Sequence, residues 1–77
     1  MPNATKRDYE VAFAGLDFPV SKAAVINRAR DNGGLDREVY AILSQLPSGS
    51  HDSIEDLKQA VRAIYIADGA APDSLPL

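Results

Sequence analysis

Apolar residues recur at helical spacing in four separate stretches of the chain. Tyr9, Ala12, Phe13 and Leu16 stand at i, i+3, i+4 and i+7, the stripe of an amphipathic helix, and predict one over Lys6–Ala14. Val25, Ile26 and Ala29 mark a second helix over Lys22–Asn32. Val39, Ile42, Leu43 and Leu46 give the cleanest stripe and a third helix over Arg37–Leu46. Ile54, Leu57, Val61 and Ile64 alternate steps of three and four along a fourth, Ile54–Ala67. No stretch alternates polar and apolar residues, so no strand is expected. The pattern therefore predicts an all-α fold, a single compact domain of four short helices over residues 5–68. Residues 1–4 form an N-terminal extension, and "AAPDSLPL", with two prolines and no period, reads as part of a flexible C-terminal tail over 69–77.

Polar and special residues punctuate the pattern where helices should start and stop. Thr5, Ser21, Asp36 and Ser53 each precede an apolar stripe and can accept a backbone amide of the first turn. Val20 and Val25, like Leu35 and Tyr40, have the spacing of a hydrophobic staple across such a cap. Pro19 disfavours a helical Phe18 and directs its ring inward between the first two helices. Gly15, Asn32-Gly33, Pro47 and Asp68-Gly69 end the four helices. The expected core is Phe13, Leu16, Phe18, Val25, Ile26, Ala29, Val39, Ile42, Leu43, Leu46, Leu57, Val61 and Ile64.

Composition narrows the function classes. A chain of 77 residues supports one small domain, burying only about 60% of the surface of its unfolded form. It has no cysteine, which excludes disulfides, thiolate metal sites and a cysteine nucleophile and suits a reducing cytoplasm. The N-terminus lacks the apolar segment of a secretory signal, so the Asn3-Ala4-Thr5 glycosylation match carries no weight. No apolar run is long enough for a membrane span. The net charge is −3, and residues after Glu38 hold two basic and five acidic side chains. That balance disfavours general attraction to nucleic acid.

Candidate chemistry is sparse. His51 is the sole histidine, with no second histidine or cysteine to complete a metal site. Asp52, Glu55 and Asp56 fall at a helix start, where carboxylates act as caps. Ser48, Ser50 and Ser53 neighbour His51 without a nucleophile elbow. No phosphate-binding fingerprint is present. No enzyme activity, cofactor or metal is expected.

"GLDFPVSKAAVINRARDNG", "VYAILSQLP" and "HDSIEDL" together resemble domain-of-unknown-function family 2795. Its pattern places a glycine, an aromatic, a proline, a small residue, a serine or threonine and a lysine before an amphipathic helix. A Leu-x-x-Leu-Pro ending and an aromatic-Asp-Ser segment follow. Gly15, Phe18, Pro19, Ser21, Lys22, Val25, Ala29, Leu43, Leu46, Pro47, Asp52, Ser53 and Asp56 fit. His51 replaces the usual aromatic, and Ile54 a frequent proline. The resemblance implies a bacterial, cytoplasmic protein and no established activity.

Two surfaces could meet a partner. On the fourth helix Lys58, Arg62 and Tyr65 share a face, and with Ile66 they border the run "AIYIA", which is apolar over more than one side. These four are the candidate contacts for another protein or a second copy. Lys22, Arg28, Arg30 and Arg37 are the candidates for the alternative, an accessory helix-turn-helix-like nucleic-acid binder. Arg28 and Arg30 are two residues apart, so they point about 160° from each other. The leading expectation is a non-enzymatic protein–protein interaction module.

Overall fold

The computed structural model describes residues 4–77. Asn3 of the glycosylation match, and residues 1–3 of the expected extension, lie outside the described residues. The helices are α1 (Lys6–Phe13), α2 (Lys22–Asp31), α3 (Arg37–Leu43) and α4 (Ile54–Ala67). All four expected N-caps are in place. Thr5 accepts the Asp8 amide at 3.2 Å while the Asp8 carboxylate accepts the Thr5 amide at 2.8 Å, a closed capping box. Ser21 accepts from Ala24, Asp36 from Val39 and Ser53 from Asp56. Each cap needs only a side chain and an amide three residues on, so it forms from local sequence.

α3 stops at Leu43, three residues before the expected Leu46. Gln45 and Leu46 donate to Ile42 and Leu43 in i→i−3 bonds of 3.0 and 3.2 Å, so the last turn tightens ahead of Pro47. Leu46 is nevertheless buried. The expectation of no strand needs correction. β1 (Val20–Ser21) and β2 (Ser50–His51) pair antiparallel, with Val20 opposite His51 and Ser21 opposite Ser50. Two residues are too few to show alternation in sequence. The chain is extended before each of the α2 and α4 caps, and the two extended stretches satisfy each other's backbone groups.

The helices enclose one core containing Tyr9, Ala12, Phe13, Val25, Ala29, Val39, Ile42, Leu43, Leu57, Val61 and Tyr65. Val20 is buried beside them, as its staple with Val25 requires. Leu16, Phe18, Ile26 and Ile64, expected inside, are only half-buried and pack against the cluster's edge. Phe18 lies in the irregular link between α1 and α2, and Ile26 and Ile64 flank their stripes rather than centre them. Tyr40 stays 51% exposed, so the second staple does not bury its ring.

Ala4 and the C-terminal residues lie against this core. Ala4 is buried. Residues 69–77, expected as a flexible tail, turn back, with a 3-10 turn at Pro72–Ser74 and Ala70, Leu75 and Leu77 packed on the cluster.

α1 and α2 meet at their C-terminal ends. The Asn32 side-chain amide donates to the carbonyls of Val11 and Ala14, both at 2.9 Å. Gly34 sits flush against α1: a Cβ there would lie 2.9 Å from the Ala12 nitrogen and 3.1 Å from its Cα. A backbone neighbour cannot yield as a flexible side chain can. Gly34→Ala should therefore destabilise the protein by about 1–3 kcal/mol. Gly49→Ala, whose Cβ meets nothing within 4 Å, should stay within about 0.5 kcal/mol of wild type. Urea denaturation of the two variants checks the contrast.

Candidate functional site

Glu38, Ala41, Ile42 and Gln45 follow one another at i, i+3, i+4 and i+7 along α3 and its final turn, on a face beside the core stripe. They form one wall of a groove of about 700 Å³. Tyr65 and Asp68 at the end of α4, followed by Gly69, Ala70, Ala71 and Ser74, form the other. The turn that brings those last residues round is a Schellman motif. Gly69 has φ +100°, its amide bonds to the Ile66 carbonyl at 3.0 Å, and the Ala70 amide bonds to the Tyr65 carbonyl at 2.9 Å. Glycine carries no steric penalty in that left-handed conformation.

Tyr65 locks the groove to the core. Its hydroxyl donates to Glu38 Oε2 at 2.8 Å, and the Tyr9 hydroxyl lies 2.6 Å from it. With the Tyr65 proton committed to Glu38, Tyr9 is the donor to Tyr65. Glu38 Oε2 also accepts the Ala4 amide at 3.0 Å. The two tyrosine rings meet edge-on at 6.1 Å, and Phe13 tilts against Tyr9 at 5.6 Å. Burial pushes the Tyr9 phenol up to about 12; the bond with Tyr65 offsets part of the rise, and the Glu38 charge adds to it. Tyr65 is pushed further above the ordinary phenol range, first by burial and then by its bonds with Tyr9 and Glu38.

This placement separates the residues expected to form one partner surface. Tyr65 is only 4% exposed and is a core residue, whereas Ile66 is 47% exposed. Lys58 is half-buried beside a smaller cavity of about 240 Å³, lined also by Lys6, Tyr9, Phe13 and Leu77. Arg62 is half-buried. The run "AIYIA" thus divides between core and solvent rather than forming a patch centred on Tyr65. Tyr65 shares i+4 steps with Leu57 and Val61, and that register marks it as buried more clearly than the Ile54–Ile64 register does.

The basic candidates lie elsewhere. Lys22 is half-buried at the start of α2, Arg28 and Arg30 are exposed in its last turn, and Arg37 is exposed at the start of α3. Cations in a last turn complement the helix dipole, which gives Arg28 and Arg30 a structural role. His51 is buried in β2, and its Nε2 has no hydrogen-bond partner among the described residues. No group of three metal-ligating side chains forms among the described residues, and no described helix is long and apolar enough to cross a membrane.

The model of a family described as a protein of unknown function, DUF2795, matches residues 6–58, and the chain belongs to that family. The match covers α1 to α3 and the first turn of α4, so one wall of the groove lies inside it and the other beyond it. No curated protein and no solved structure matches the chain.

Removing single hydroxyls tests the network. Tyr65→Phe strands the buried Tyr9 donor and should cost about 1–3 kcal/mol, whereas Tyr9→Phe leaves the Tyr65–Glu38 bond intact and should cost less. Chemical denaturation gives the order. Alkaline pH gives a second readout. A phenol held at about 12 in the folded chain and near 10 in the unfolded one contributes stability that is complete below about pH 10 and is lost as pH rises through about 12. Stability should fall across that window, and the Tyr9→Phe/Tyr65→Phe double variant should show a flatter alkaline limb in thermal melts.

Proposed function

We propose that the protein is a small non-enzymatic interaction module, and that a segment of another protein docks in the groove between α3 and residues 68–74. The observation that carries this reading is the groove itself. It is large for so small a chain, at about 700 Å³, and small side chains, Ala41, Ala70 and Ala71, line it beside Ile42. Its walls are held by the Tyr65–Glu38 bond and the Schellman turn, so little ordering free energy is lost when a partner binds. Two of the carboxylates, of Asp8 and Asp36, and the hydroxyls of Thr5, Ser21 and Ser53 serve as helix caps. The setting that goes with this function is the cytoplasm, which suits a cysteine-free chain.

Ala41 is exposed on the groove wall, so Ala41→Glu should block docking without disturbing the core. Affinity capture from the native host, with wild type and Ala41→Glu compared by mass spectrometry, should show a partner retained by the first and lost by the second, circular dichroism being unchanged. Identical captured sets would refute the reading. In fluorescence anisotropy with duplex and single-stranded DNA, the expected result at physiological salt is no binding tighter than about 1 μM, since the net charge is −3 and the arginines are dispersed.

A further inference from the structure

We propose that the end of the groove at Asp68 receives an arginine side chain of the docked segment. This rests on the docking reading above and specifies the chemistry of the partner. Asp68 is the C-cap of α4, and the last turn of that helix contains no basic residue. A helix C-terminus carries partial negative charge, which favours a cation and disfavours a carboxylate. Here the carboxylate adds to the helix charge instead of opposing it.

The side chain of Asp68 is exposed and reaches only the Gln45 amide, at 3.4 Å, which contributes no charge. Asp68 has no ion pair among the described residues, so its charge is left for an external cation. Gln45 lies two residues past the end of α3, and no basic residue lies in the last turn of α3 either. Glu38 lies seven residues back from Gln45 on the same wall, about 10 Å along a helix. It accepts from Tyr65 and Ala4, which leaves Asp68 as the carboxylate at the open end of the groove.

The groove is lined in part by small apolar side chains. Ala41 and Ile42 face Ala70 and Ala71 across it, and none of these has a polar side chain. A guanidinium on a three-carbon stem suits such a site, with the stem along the alanines and the head at the acidic end. Its forked donors can engage the Asp68 carboxylate and the Gln45 amide oxygen together, which a single ammonium does less well.

The test uses the full chain, 15N-labelled and followed by NMR, with an acetylated, amidated Ala-Leu-Arg-Ala peptide as the probe and its Ala-Leu-Glu-Ala counterpart as control. The arginine peptide should give saturable shifts at Ala41, Gln45 and residues 68–74, and the glutamate peptide none. Asp68→Asn keeps a C-capping side chain and should weaken binding at least fivefold. Asp68→Lys should abolish it while raising the melting temperature, which separates loss of the site from loss of the fold. Equal binding by all three proteins, or shifts centred on the Glu55–Asp56 end of α4, would overturn the assignment. The docking reading fails separately: it falls if Ala41→Glu captures the same partners. If Ala41→Glu loses a partner that both Asp68 variants retain at wild-type strength, only the arginine assignment falls.

Discussion

The hydroxyl of Tyr65 is the point at which three distant parts of the chain are held in register. It accepts a hydrogen bond from Tyr9, 56 residues earlier, and donates one to Glu38, 27 residues earlier. Glu38 in turn receives the Ala4 amide from across 34 residues. Buried phenols are costly unless every donor finds an acceptor, so the arrangement stabilises only as a closed chain. That condition sets where the N-terminal segment, α1, α3 and the last turns of α4 can sit relative to one another. The groove inherits its shape from it, since Glu38 and Tyr65 stand on its opposite walls.

The remaining joints are backbone devices. Asn32 closes on two carbonyls of α1, and Gly34 lets that helix approach to backbone contact. The short β1–β2 ladder ties the segments leading into α2 and α4. In a chain with so little interior, such polar fastenings matter beside the hydrophobic core, because limited burial leaves a narrow margin over conformational entropy.

Local features were readable from the residues alone. Thr5, Ser21, Asp36 and Ser53 announce their helices because a cap involves side chain and amide within one turn. The bounds of α4 and the buried Val39–Leu43 stripe follow from spacing in the same way. Non-local features were not readable. The i+4 register of Leu57, Val61 and Tyr65 points to which of the adjacent Tyr65 and Ile66 turns inward, but the bonds of Tyr65 to Tyr9 and Glu38 could not be read from spacing. The last residues lack any period, yet Leu75 and Leu77 pack on the core because the Gly69 turn aims them there. The groove was invisible for the same reason: its second wall is made by that turn. Membership of the family, by contrast, was legible in Pro19, Ser21, Lys22 and the Leu46-Pro47 ending, all within the matched residues.

The β1–β2 ladder has an electrical consequence. By joining the segments just ahead of α2 and α4, it gathers two helix N-termini at one end of the molecule. The 14 residues of α4 then carry the backbone about 21 Å to the C-terminus at Asp68. At the ladder the free amides of two helix starts meet Lys22 on one side and the carboxylates of Asp52, Glu55 and Asp56 on the other, so the positive ends of both helices are offset where they come together, whereas no basic residue in the last turn of α4 offsets Asp68.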